Sequence, residues 1–254
     1  MIILEVYNIL WRSYKWRRNN LLSVLITILQ PILWLVLYGS IANFSLEDSF
    51  HMNYSTFIIP GLVVLVTFSS SSSGGMVNYI MKKNGSFKRL MISPIKKESI
   101  IIGQIMESTA CSLLESLILM VIGLFIGVNY KFTITSFFLT ILLIIMTGLT
   151  FSLIAYYISL TAFNEVIYET IMNMIVLPIF FLSSALFPIE NISGIFKVVV
   201  DMNIFSYVID LIRELMQGKI FFKNYMITFV VLFIMISLMV VLNSKKLENK
   251  VIDL

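Results

Sequence analysis

The chain has 254 residues, of which 59% are hydrophobic and 13% charged, too few charges to clothe a water-soluble fold whose usual charged share is about 25%. The sequence therefore reads as an all-α integral membrane protein. The net charge of +4 is no nucleic-acid footprint, because the bases flank apolar runs, and the single Cys111 excludes an intramolecular disulfide framework.

In chain order, residues 4–20 predict an amphipathic helix lying in the membrane interface. Leu4, Ile9, Leu10, Trp11 and Trp16 supply its membrane face, while Arg12, Lys15, Arg17 and Arg18 meet headgroups. An ordinary basic flank with aromatic anchors is the plainer alternative. Six runs then approach the roughly 20 apolar residues that cross a bilayer: residues 21–41, 54–80, 100–128, 137–160, 171–187 and 225–242. Pro31 and Pro178 fall inside spans as kinks that neighbouring helices accommodate.

Between the second and third runs, residues 81–99 form a short basic loop. It holds Lys82, Lys83, Lys88, Arg89, Lys96 and Lys97 against the single acid Glu98. With the N-terminus inside, thirteen of the Lys and Arg residues fall in cytoplasmic segments and five in outer ones. This excess, with an even number of spans, places both termini in the cytoplasm. The sequence Gly85-Ser86-Phe87 suggests a short helix capped by Ser86 and ended before Pro94. Phe87, Leu90 and Met91 would then share an apolar face.

Several polar features lie inside the apolar runs. Glu107, Cys111 and Glu115 are four residues apart, so they form one stripe on the third span. They read either as a polar wall of a substrate path or as groups bonded to neighbouring spans, with Glu107 near enough to the end to reach water. Ser69–Ser73 followed by Gly74 and Gly75 reads as a close-packing face, or as a bend lining a path. Residues 183–222 are too charged to span and too apolar to stay in water, which predicts short re-entrant helices punctuated by Pro188 and Gly194. Asp210 and Arg213 can pair there on one turn. Glu165 and Glu169, after the fourth span, read as solvated acids. No metal-ligand cluster, nucleophile motif or G-x-x-x-x-G-K-[ST] occurs, so no catalytic residue, metal site or bound nucleotide is expected in this polypeptide.

Three local patterns resemble one family. Tyr54-Ser-Thr-Phe-Ile-Ile-Pro60-Gly61-Leu62 opens the second span. Gly85-Ser86-Phe87-Lys88-Arg89-Leu90-Met91-Ile92-Ser93-Pro94, with Gly103 downstream, fills the basic loop. Leu182-Ser-Ser-Ala-Leu-Phe-Pro188 is followed by Asn203-Ile-Phe-Ser-Tyr207, Asp210 and Arg213. In order and spacing these resemble the permease subunits of ABC-2 type transporters over nearly the whole chain. The departures are Lys83 and Lys88 where the family tends to place acids, and Ile204 where its motif has proline.

The resemblance implies one ABC-2 transmembrane domain over residues 1–254, in the cytoplasmic membrane, with six spans, an interfacial helix and a re-entrant segment. It implies that residues 81–99 are a coupling loop, with Gly85, Ser86, Phe87, Lys88, Arg89, Leu90, Met91 and Pro94 meeting an ATPase. Two cytoplasmic ATPase subunits would bind ATP and Mg, and a second or related permease would complete a dimer. The cargo would be hydrophobic or amphipathic, with Glu107, Glu115, Ser69 and Ser73 as path candidates. Pro188, Asn203, Tyr207, Asp210 and Arg213 would belong to the re-entrant segment. Two other classes stay open: an ion-coupled secondary transporter or channel using Glu107 and Glu115, and a non-transporting immunity or binding protein in the membrane.

Overall fold

The computed structural model describes residues 2–19, 29, 31–37, 54–93, 96–186 and 194–252. The expected first span at 21–41 is described only at residue 29 and over 31–37, which are helical, while Pro94 and Pro188 lie outside the described residues. The elements are α1 (Ile2–Asn19), α2 (Tyr54–Lys83), α3 (Ser86–Ile92), α4 (Lys97–Phe125), α5 (Ile134–Thr161), α6 (Glu165–Phe181), α7 (Ile195–Met202), α8 (Ile204–Met216) and α9 (Phe222–Ile252). Helix is the only regular structure among the described residues.

Among the described residues, four helices are long and apolar enough to cross a membrane: Tyr54–Lys83, Glu98–Phe125, Ile134–Thr161 and Phe222–Leu247. They correspond to the second, third, fourth and sixth expected spans. The fifth run differs. Its helix starts at Glu165, six residues early, because the Asn164 carboxamide accepts the Ile167 N–H at 2.7 Å and fixes the N-terminus there. It ends at Phe181 after 17 residues, which at 1.5 Å per residue is about 25 Å. Between it and α9, Asn203 separates two short helices. Its side chain accepts from Phe205 N–H and donates to the carbonyls of Ile179 and Leu182.

The helix α2 is the centre of the bundle. Of its most apolar window 78% is covered by the rest of the chain, against 17% for α9, which makes α2 a core helix and α9 an outer wall. Ile58, Ile59, Leu62 and Val63 of α2 pack with Leu119 of α4, Leu143, Ile144 and Phe151 of α5, and Ile209 and Ile212 of α8. Phe151 meets Phe68 edge-on at 4.7 Å and stacks on Phe205 at 4.4 Å. The helix α1 does not turn all its apolar residues to lipid. Val6 and Ile9 are buried, with Ile9 against Gly103 of α4, while Leu4, Tyr7 and Trp11 are exposed. The expectation that Ile9 belongs to the membrane face is corrected: the glycine at 103 opens a slot for it.

Inside the bundle, hydroxyls join α2 to its neighbours. Thr67 Oγ1 lies 3.1 Å from Ser116 Oγ, and Ser152 Oγ donates to Ser71 Oγ at 3.1 Å. Without water, such bonds are how helices satisfy one another's polar groups. Gly74 and Gly75 permit the approach. A Cβ at Gly75 would sit 2.8 Å from both the Cβ and the carbonyl oxygen of Ala155 and 2.3 Å from the Tyr168 hydroxyl. Overpacking a core costs about 1–3 kcal/mol. Gly75→Val is accordingly expected to lower the thermal midpoint of the detergent-purified protein, measured by fluorescence-detected gel filtration, while Ser73→Ala leaves it unchanged.

Candidate functional site

The basic loop is built as a joint at one end of the bundle. Gly85 takes a left-handed conformation (φ 71°) that turns the chain from α2 into α3, and it occupies the N-cap position. The expected cap, Ser86, is instead the first helical residue. At the other end Ser93 is extended, as a residue before proline must be, and its hydroxyl donates to Leu90 carbonyl at 2.6 Å.

The side chains of α3 divide differently from the expected apolar partner face. Phe87 is only 5% exposed and lies in a cluster with Ile100, Ile101 and Ile105 of α4, Leu153, Tyr156 and Leu160 of α5, and Leu247 of α9, with Leu90 packed against the same group. Phe87 is thus a contact within the chain. The burial follows from its place beside three helix ends, information that i, i+3, i+4 spacing does not contain. Ser86, Lys88, Arg89 and Ile92 are the exposed residues. Met91 falls in the helix.

The two lysines that end α2 are committed elsewhere. Lys82 Nζ donates to the carbonyls of Ser159, Leu160 and Ala162 at 2.9, 3.3 and 2.9 Å, and lies 5.0 Å from the Tyr79 ring centroid. It satisfies carbonyls that the end of α5 leaves without intrahelical donors, at the negative end of that helix. Lys83 pairs with Glu165 at 2.8 Å, so Glu165 is not merely a solvated acid. Tyr79 donates to Phe163 carbonyl at 3.1 Å, and Asn78 donates to Ser159 Oγ. Together these bonds clasp the start of the loop to the α5–α6 turn. Lys82→Met is expected to lower stability by about 1–2 kcal/mol, read as a reduced detergent melting temperature, whereas Lys83→Met at the exposed pair changes it little.

A second feature is a cavity of about 240 Å³ between residue 34, α2 and α6. Trp34, Leu65, Phe68, Val176, Leu177, Phe180 and Phe181 supply apolar walls, with Ser69, Ser72 and Asn173 as the polar groups. Ser69 lines it, while Ser73, half-buried one turn on, does not. Glu107 and Glu115 are not in its lining either. Glu115 is 3% exposed within the bundle and Glu107 is half-buried.

Beyond the other ends of the spans, Arg213 ties three segments together. It donates to Asp210 on its own helix, to Ser184 carbonyl at 2.7 Å and to Phe57 carbonyl at 3.3 Å, and its guanidinium lies 3.9 Å from the Phe57 ring centroid. Burial pushes the Asp210 carboxyl above its ordinary value, against the pull of the arginine. Tyr207 is exposed.

The profile of the ABC-2 type transporter family matches residues 5–217, more than four-fifths of the chain. The chain belongs to the ABC-2 type transporter family. It is similar to the "Putative transport permease ycf38" of Cyanophora paradoxa, 28% identical over 220 residues, covering 84% of this chain and 74% of that one. The like-named protein of Porphyra purpurea is also 28% identical, with the same coverage. "Nodulation protein J" of Rhizobium leguminosarum bv. trifolii is 20% identical over 210 residues, covering 82% of this chain and 79% of that one. The chain is thus a transport permease and a multi-pass membrane protein. At two of the positions expected to depart from the family pattern, Lys83 pairs with Glu165 and Ile204 begins a helix that Asn203 caps. Lys88 forms no ion pair among the described residues.

Proposed function

We propose that the chain is the membrane-spanning subunit of an ABC exporter in the cytoplasmic membrane. It works with two cytoplasmic ATPase subunits, which bind the ATP and Mg, and with a second permease, identical or related. The whole of residues 1–254 serves as one transmembrane domain with six spans and both termini cytoplasmic. In this reading α7 and α8 are re-entrant from the outer side, and α1 lies in the inner interface. The cargo is a hydrophobic or amphipathic molecule such as a drug, peptide, lipid or glycolipid.

The observation that carries this reading is the seating of α3. A short basic helix, locked through Phe87 and Leu90 to the start of α4, the end of α5 and the tail of α9, passes a push to three long helices at once. Packed interiors transmit such displacements because they are close-packed and stiff. The cavity with its apolar walls and three polar groups fits the proposed cargo class, since such sites bury ligands in apolar surface and orient them with few polar contacts.

The test is co-purification of the permease with a Walker A ATPase from the same cell, then reconstitution of both in liposomes. Vanadate-sensitive ATP hydrolysis and ATP-dependent movement of rhodamine 6G are expected. Absence of any associated ATPase would overturn the reading. Flux driven by a proton gradient without ATP would shift it to Glu107 and Glu115 as an ion-coupling pair.

A further inference from the structure

We propose that Lys88, Arg89 and Ile92, the outward face of α3, dock into an acid-rimmed groove with an apolar floor on the ATPase subunit. The inference rests on the reading of this loop as the ATPase contact and adds the chemistry of the partner.

The face is defined by what the rest of the chain has taken. Phe87 is buried in the bundle and Leu90 is half-buried against the same cluster, so the apolar side of α3 is turned inward. Of the loop's bases on the α2 side, Lys82 is held by three carbonyls and Lys83 by Glu165. Lys88 and Arg89 are exposed, and among the described residues neither has a carboxylate in ion-pair contact. Ile92 lies one helical turn beyond Lys88 and is 75% exposed. Two uncommitted cations beside a bare aliphatic side chain are complementary to acids around an apolar recess. Such complementarity selects a partner and fixes its register.

The level of the face in the membrane favours a protein over acyl chains. With 30 residues, α2 is about 45 Å long, against a hydrocarbon core of about 30 Å. The excess falls at the Lys83 end, whose last turn carries Lys82 and Lys83 and so avoids the acyl region, and α3 follows it. Phe87 seats α3 there against the bundle.

The experiment uses the full chain purified with its ATPase. A photo-crosslinking amino acid is placed at Lys88 or at Ile92, and the linked peptides are identified by mass spectrometry. Both positions are expected to link to one ATPase segment rich in Asp and Glu. Lys88→Glu with Arg89→Glu lowers the recovered ATPase about tenfold, and changing acids of the linked segment to Lys restores it. Both substitutions are on the surface, and an unchanged gel-filtration profile confirms that the variant folds. A linked segment that is neutral or basic, or undiminished recovery with the double variant, overturns the proposal. So does linkage of both positions to phosphatidylglycerol alone, which would make the face a headgroup contact. If the ATPase is recovered but links only from other regions of the chain, the loop reading itself fails, and this proposal with it.

Discussion

Arg213→Ala is expected to destabilise the protein by about 3 kcal/mol, more than any other single change at the Phe57 end of α2. The guanidinium joins α8 to Phe57 at the start of α2 and to Ser184 after α6, while its aliphatic and planar surface covers the Phe57 ring. Removing it leaves the buried carbonyls of Phe57 and Ser184 without that donor and Asp210 without its counter-charge. Breaking one side of a buried ion pair costs about 3–5 kcal/mol. The lower end applies because the Asp210 side chain keeps 34% of its exposure and solvent screens what remains. Arg213→Lys should recover only part of the loss, since one ammonium cannot reproduce a planar fork that serves two carbonyls and a carboxylate. Arg213→Ala with Asp210→Asn should be less damaging than Arg213→Ala alone, because no unpaired carboxyl charge is left behind. Detergent melting temperatures of the three variants check this ordering. Equal loss in all three would place the stabilisation in the packing of the arginine on Phe57 and not in its charge.

What the sequence revealed and what it hid divide along a physical line. The apolar runs of α2, α4, α5 and α9 are legible because a bilayer demands length and hydropathy, both additive over residues. Asp210 and Arg213 were legible as a pair because helical spacing brings them together. Arg213's bonds to Phe57 and Ser184 were not, since they join residues 156 and 29 positions apart. Lys83 and Glu165 likewise lie 82 residues apart, so each alone reads as a solvated charge. The seven small residues at 69–75 were legible as a packing face or a path-lining bend, with Ser69 and Ser73 as path candidates, but not which serines enter the cavity, which are Ser69 and Ser72. The division of a helix surface among its neighbours is set by tertiary placement, and the same placement moved Ile9 and Phe87 from outward to inward faces.

Phe87→Ala should separate binding of the motor from transport. The side chain fills the space between the ends of α4, α5 and α9, and truncating a buried Phe costs about 3–5 kcal/mol. At the low end, about 3 kcal/mol is a factor of about a hundred in the ratio of seated to unseated α3. The outward residues Lys88, Arg89 and Ile92 are untouched by the change, so the ATPase is expected to be recovered with the variant. ATP hydrolysis should continue while ATP-dependent movement of rhodamine 6G falls at least as far as the seating ratio allows. Phe87→Leu, which refills most of the volume, should restore a large part of the transport. Melting temperature provides the control, because the bundle's main core around Ile58, Leu62 and Phe151 is a separate cluster. Loss of ATPase recovery along with transport would place Phe87 on the partner-facing side. Transport at the wild-type level would mean that the push reaches the spans by another route, of which the Lys82 clasp on α5 is the one the geometry offers.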